Sequence, residues 1–477
     1  MKLESNTGYV SSGVAGLDEV LEGGLTQGEM LLLQGTAGTG KTMLALQWAV
    51  DGVARGERVL YVAFGESRQE LETIAATNGW DLAGLDLLES SAPEQEHTMF
   101  HPSEVELEKT LGQLWDELDR IKPTRLVIDS LTEIRLLSQN DLRYYRELLG
   151  MKRRLQGKGC TVLLLEIAAE SLSAAVASGV ICLEQFSPDY GGVRRRLSVT
   201  KLRGRSYLSG YHDFIIKRGG LQVFPRLIAL EHRAEHEARL MPSGVESLDV
   251  LFGGGIISAT STLLVGVAGT GKSSIALSFA IAAADRGEKS ALYTFEERPE
   301  LIVRRARAVG MDIQGHLDAG LLNIRQVDPA ELLPSQFTDL VRKEVEERDV
   351  AMLIIDSLNG YLHAMPQAQA LMAQMHELLT YLGQCDVASL LVLGQSGILD
   401  NPSSPINASY LTDNLVWLRL FEREGKLNRS IAVVKQRGGT HKRTIHELHV
   451  GAEGLAVGQL LSDSRSLNEE CPHGQMD

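Results

Sequence analysis

Cysteine is scarce. Cys160, Cys182, Cys385 and Cys471 are the only four in 477 residues, far apart and with no C-x-x-C pair. That excludes a disulfide framework or zinc ribbon and fits a reducing, cytosolic compartment. Positive charge is also in deficit: 47 Lys and Arg against 62 Asp and Glu leave a net charge of −15. Bulk electrostatics therefore give no help in binding duplex nucleic acid, although a local basic patch can still do so. No stretch approaches the roughly eighteen uninterrupted apolar residues of a membrane span, and the start, MKLESNTGYV, lacks the apolar core of a secretory signal. Low-complexity tracts are missing too. Against these absences stand 44% hydrophobic residues over a length that implies two or more domains with cores of their own. The expectation is a soluble, cytoplasmic protein.

Internal self-similarity organises the chain. Lys41 in GTAGTGKT and Lys272 in GVAGTGKS stand 231 residues apart, and the same offset carries Ser12-Gly13-Val14 onto Ser243-Gly244-Val245, Leu17-Asp18 onto Leu248-Asp249 and Phe64 onto Phe295. Further on, an offset of 234 takes Lys201 in KLRG to Lys435 in KQRG, His212 to His446 and Gly220-Leu221 to Gly454-Leu455. Two copies of one domain, 1–235 and 236–461, are expected, with a polar and mobile tail at 462–477. In each copy apolar β-rich runs alternate with segments of helical period, which predicts an α/β fold whose mainly parallel sheet is covered by helices on both faces. The first-copy runs are Met30 to Leu33, Val59 to Phe64, Leu126 to Ile128 and Val162 to Leu165. Short antiparallel strands are expected at Leu197 to Leu202 and Asp213 to Lys217.

Both Gly35-Thr36-Ala37-Gly38-Thr39-Gly40-Lys41-Thr42 and Gly266-Val267-Ala268-Gly269-Thr270-Gly271-Lys272-Ser273 satisfy G-x-x-x-x-G-K-[ST] between an apolar strand and a helical segment. Glycines let backbone N–H groups and a helix N-terminus wrap phosphate oxygens, Lys41 or Lys272 reaches the terminal phosphates, and Thr42 or Ser273 holds Mg²⁺. Two such matches in register point to two ATP sites. The strands ending in Asp129-Ser130 and Asp356-Ser357 place an aspartate where Mg²⁺ needs support, although an aspartate capping a turn fits the same pattern when taken alone. Phe295-Glu296-Glu297 follows the second strand of copy two, where a carboxylate can polarise an attacking water or hydroxyl; a solvated pair capping the next helix is the alternative. Copy one reads Phe64-Gly65-Glu66, so its first acidic residue is missing, and if that position is the general base its site is expected to be a poor hydrolase unless Glu66 substitutes.

With S-G-x-x-x-L-D before each P-loop, the F-E-E or F-G-E strand end, the apolar run into Asp-Ser and the K-x-R-G near each domain's end, nearly the whole chain resembles the tandem KaiC-like ATPases of the RecA superfamily. The resemblance implies two tandem RecA-like P-loop NTPase domains, ATP and Mg²⁺ as ligands, and self-assembly as a two-tiered homohexameric ring with ATP at subunit interfaces. It implies that Lys201 and Arg203, and likewise Lys435 and Arg437, act in the neighbouring subunit's site; by sequence alone KLRGR reads equally as a solvated strand end. Serine/threonine autokinase and autophosphatase activity in the second domain, and signalling partner proteins, are further implications. The family's clock members phosphorylate an adjacent Ser-Thr pair, and the matching segment here is Ala408-Ser409-Tyr410-Leu411-Thr412-Asp413, with Ser409 and Thr412 as candidate acceptors. An ordinary loop serine reads as well from composition. Extending the 234 offset backwards sets Ala175 and Val176 against Ser409 and Tyr410, confining acceptors to copy two. The nucleotide-contacting residue after R-G is His441 in copy two and Tyr207 in copy one. Clock members also carry a longer C-terminal extension gripped by an activating partner, so partner-driven rhythm is not carried over.

The rival expectation is a nucleic-acid-dependent motor on the same core, using Arg194-Arg195-Arg196 and Lys152-Arg153-Arg154 to line a channel. Charge runs are more often solvated faces, and nucleic acid is not an expected partner.

Overall fold

The computed structural model describes residues 8–89, 103–167, 172–188, 191–229, 237–328, 330–363, 368–395 and 411–461. Ser409, Tyr410 and the expected tail at 462–477 lie outside them. The chain divides into two compact units, Met1–Arg226 and Leu227–Asp477.

Among the described residues of the first unit, one nine-stranded sheet runs in the order Leu85–Glu89, Val59–Ala63, Arg125–Asp129, Thr161–Glu166, Met30–Gly35, Gly179–Phe186, all parallel, and continues antiparallel through Arg194–Leu202, His212–Lys217 and Gly220–Phe224. The second unit repeats it: Leu322–Gln326, Lys289–Thr294, Val350–Asp356, Ala388–Gly394, Ser261–Gly266 and Asn414–Arg423 are parallel, then Lys426–Gln436, His446–Gly451 and Gly454–Leu460 are antiparallel. These are the expected α/β P-loop domains, and the antiparallel end includes the strand Gly220–Phe224, which the sequence also marks at Gly220 to Val223.

The strands are apolar on both faces because both faces are covered. In the first unit the helix Lys41–Ala54 buries Leu44 and Trp48 on one face of the sheet, while Leu131–Ser138 and Asp141–Leu155 bury Ile134, Tyr144 and Leu148 on the other. Such packing fixes the strand ends, and the strand ends carry the chemistry.

Strand register also resolves the net three-residue insertion into its parts. Ala63 pairs with Asp129 and Thr294 with Asp356, so the offset at the acidic strand is 227. Leu31 faces Gly179 while Thr262 faces Asn414, an offset of 235, and a hairpin one residue shorter in the second unit restores 234 at Lys201 and Lys435. On this register the described Thr412 matches Ala177, an offset of 235 and not 234.

Candidate active site

Each P-loop leaves the central parallel strand and turns into a helix at a glycine of positive φ, 102° at Gly40 and 97° at Gly271, a backbone state that a side chain would strain. The loops are braced internally: Thr39 Oγ1 donates to Thr36 O at 2.9 Å and Thr270 Oγ1 to Val267 O at 2.8 Å. Lys41 Nζ donates to the carbonyls of Gly35 and Thr36 at 2.8 and 2.9 Å, and Lys272 Nζ to those of Gly266 and Val267, both at 2.8 Å. Burial pulls both ammonium groups below the usual lysine range. Nearby carboxylates oppose that shift: Asp129 and Glu66 at Lys41, Asp356 and Glu296 at Lys272. A buried cation looped over its own backbone, beside a helix N-terminus, suits a phosphate chain.

Thr42 Oγ1 donates to Asp129 Oδ2 at 2.8 Å, and Tyr61 OH donates to the same oxygen at 2.8 Å. In the second unit the Ser273 hydroxyl favours the charged form of Asp356. Burial raises both aspartates above the ordinary carboxylate range, against the pull of these hydrogen bonds. Among the described residues no group of three or more His, Cys, Asp or Glu is placed to hold a metal alone. A hydroxyl next to a buried carboxylate matches an ion such as Mg²⁺, which takes the rest of its shell from water and phosphate.

The acidic strand ends differ between the repeats. Glu296 Oε1 accepts from Ser357 Oγ at 2.9 Å, and the helix Leu358–His363 approaches this corner through Gly360, where a Cβ would lie 2.5 Å from Phe295 Cβ. Glu297 is taken by Arg305, Nε to Oε1 at 3.2 Å and Nη2 to Oε2 at 2.8 Å. In the first unit Glu66, the repeat counterpart of Glu297, has no such ion pair among the described residues and bears instead on Lys41. Burial and then the neighbouring Asp129 push its carboxyl up to about 7, and its Oε2 is buried without a hydrogen-bond partner among the described residues. That orphaned oxygen fits a site completed by a ligand.

Comparison with known proteins bears on the same residues. The KaiC ATPase family model matches residues 10–228 and again 241–462. The chain belongs to the KaiC family of ATPases. It is 27% identical to circadian clock protein KaiC2 of a Synechocystis species over 96% of this chain and 84% of that protein. The figures are 25%, 94% and 92% for KaiC3 of Synechocystis, and 27%, 92% and 87% for the circadian clock oscillator protein KaiC of Synechococcus elongatus. As KaiC-family ATPase domains, both repeats are nucleotide-binding.

Within this KaiC-family chain the basic pairs stand away from their own P-loops. Lys201 is opposite Val180 at a bulge and Lys435 opposite Leu415 at the matching bulge, whereas the P-loop strands meet the same partner strands later, Gly35 at Leu183 and Val265 at Trp417. Lys201 Nζ donates to Ala174 O at 2.6 Å and Arg203 Nη2 to Ala175 O at 3.2 Å. Lys435 Nζ donates to Thr412 O, and Arg437 pairs with Asp413 at 3.6 Å.

Thr412 itself is 1% exposed, its Oγ1 without a hydrogen-bond partner among the described residues. The adjoining Asp413 accepts from Ser261 N and Oγ, both at 3.0 Å, which anchors this segment to the P-loop strand. His441 has a buried Nε2 without a described partner, whereas Tyr207 packs against the first core, so these matched positions differ in surroundings as well as identity.

One residue, Arg429, escaped the sequence reading, and its first-domain counterpart Arg195 was read only as part of a basic run. Arg429 Nε donates to the P-loop carbonyl of Gly269 at 2.8 Å, and Arg195, its counterpart at the 234 offset, has a buried Nε without a described partner. The offset itself was the available signal. The basic runs, by contrast, are largely engaged within the first unit. Arg196 pairs with Glu184 at 2.8 Å and stacks on Tyr211, Lys152 donates to Val176 O at 2.7 Å, and Arg154 pairs with Asp119 while stacking on Trp115. A channel binding nucleic-acid phosphates needs such cations unpaired.

Proposed function

We propose that both domains hydrolyse ATP with Mg²⁺, that copies of the chain assemble as a two-tiered homohexameric ring, and that the second domain phosphorylates its own chain at Ser409. The protein then acts as a cytoplasmic signalling or timing switch, in keeping with the clock names of its relatives. One observation carries the assembly: Lys201 is about three residues, or roughly 10 Å, along the strand from the level of its own Gly35, and it turns toward carbonyls farther back still. A cation so placed serves a neighbour's phosphates, an arginine-finger arrangement that makes hydrolysis depend on assembly.

Mg²⁺, held by Thr42 with Asp129 and by Ser273 with Asp356, would offset the phosphate charge. Lys41 and Lys272 bind and orient the phosphate chain. Glu296 in the second site, and Glu66 in the first, accept the proton of the attacking oxygen. In hydrolysis that oxygen is water's; in self-modification it is the Ser409 hydroxyl, which gains the γ-phosphoryl group as the bond to ADP breaks. Thr412 becomes an acceptor only if its anchored segment opens.

Peptide-resolved mass spectrometry after incubation with Mg-ATP tests this. A phosphoryl group on Ser409, lost in Lys272→Ala and kept in Lys41→Ala, is expected. An unmodified chain that still hydrolyses ATP overturns the kinase reading and leaves the ATPase.

A further inference from the structure

The two repeats handle the second acidic position in opposite ways, and the cause lies one element away. The helices Arg68–Asn78 and Pro299–Ala308 begin at the same repeat position, and on that register Arg305 is matched by Ile74. Arg305 clamps both oxygens of Glu297, with both side chains about one-third exposed. Ile74 packs against the first core and offers no charge, and Glu66, with no guanidinium paired to it among the described residues, has one oxygen buried without a described hydrogen-bond partner. The phosphate lysines register the outcome: the carboxylates bearing on Lys272 are Asp356 and Glu296, those bearing on Lys41 are Asp129 and Glu66. Glu66 therefore occupies the electrostatic place of Glu296 although its sequence counterpart is Glu297.

We infer that Arg305 is a positioning residue that withholds Glu297 from the phosphate side of the second site, and that isoleucine at the matching position 74 lets a one-residue-shifted glutamate, Glu66, serve the first. This deepens the base assignment made above and rests on it. The physical logic is charge economy: two free carboxylates beside Asp356 would repel the phosphates they are meant to serve, while a bidentate guanidinium pair removes one of them at the cost of a single side chain's freedom.

The experiment uses the full-length chain with one site silenced. In the Lys41→Ala background, Arg305→Met releases Glu297, and binding of a fluorescent ATP analogue without divalent metal weakens about tenfold, the effect of one extra nearby negative charge. Adding Glu297→Gln to Arg305→Met brings the affinity back to within about threefold of the Lys41→Ala parent, because the charge to be neutralised is gone. If the double variant stays as weak as Arg305→Met, Arg305 is a structural strut and the inference fails.

In the Lys272→Ala background, Ile74→Arg captures Glu66 and lowers turnover about tenfold or more, while Ile74→Met, which keeps the packing, does not. Equal loss in both variants, or in neither, refutes the inference for the first domain. The base assignment is read separately, from Glu66→Gln and Glu296→Gln. Should those two keep parental turnover, that assignment falls, while the Arg305–Glu297 coupling is still decided by the double variant alone.

Discussion

Replacing Glu66 by glutamine, in a chain whose second site is silenced by Lys272→Ala, isolates the first domain's chemistry. A positioned general base contributes about 10²–10⁴ in rate, so turnover should fall at least about a hundredfold if Glu66 takes the proton from the attacking water. Binding should move the other way. Glu66 bears on Lys41, and removing its charge relieves repulsion of the nucleotide. For a separation of about 6–8 Å and an effective dielectric of about 20–40, one charge is worth about 1–3 kcal/mol. Partial solvent access of Glu66 makes the lower end the better figure, and tighter binding of about fivefold is expected. Phosphate release gives the rate, titration with a fluorescent ATP analogue gives the affinity, and sizing checks that the oligomeric state is unchanged. A Lys272→Ala, Glu66→Gln chain that hydrolyses as fast as Lys272→Ala would refute the reasoning and leave the first domain with no carboxylate base.

Acidity should act on the same group. With its carboxyl pushed up to about 7, Glu66 is protonated below that pH and cannot accept a proton, so turnover in the Lys272→Ala chain should drop as pH falls from 8 to 6, and a flat profile would contradict its role as base. Stability runs in the opposite sense: a folded-state value above the unfolded one favours the fold at low pH, and the benefit is lost as pH rises toward and through 7. Denaturant unfolding of the nucleotide-free chain should show this slope, flattened in Glu66→Gln. Action in trans predicts that a chain carrying Lys435→Ala and Arg437→Ala, mixed and reassembled with Lys272→Ala, hydrolyses more than the sum of the two alone; strict additivity would contradict it. Gly266→Ala places a Cβ 2.4 Å from Leu418 O, a backbone atom of the adjoining strand that cannot step aside. A loss of about 1–3 kcal/mol in the second domain's unfolding is expected, and an unchanged melting curve would show that the strand yields.

Much of the fold was legible because its signals are local. A P-loop is a short run whose glycines, lysine and hydroxyl act within one strand-to-helix turn, so spacing alone located Lys41 and Lys272. The apolar runs around Leu126 and Leu353 read as buried strands because a sheet covered on both faces needs no alternation. The register of Asn414–Arg423 against its repeat counterpart was less legible. A constant offset assumes equal hairpins, and the hairpin from Gly179–Phe186 into Arg194–Leu202 is one residue longer than its counterpart.

What the sequence determined by itself is the repeat, the two glycine-rich loops that enter helices at Lys41 and Lys272 and the aspartate at the end of each acidic strand, all of them encoded in contiguous residues. The tertiary structure decided where the remaining charges go. Glu66 and Glu297 hold the same repeat position, and they part because Arg305 stands on the next helix in one domain and Ile74 in the other. Lys201 lies far from its own Gly35 because both run against Gly179–Phe186 at different levels, a distance set by strand register and not by separation along the chain. A carboxylate goes to whichever cation or hydroxyl the packed elements bring within reach, and that partner is fixed only when the helices settle on the sheet.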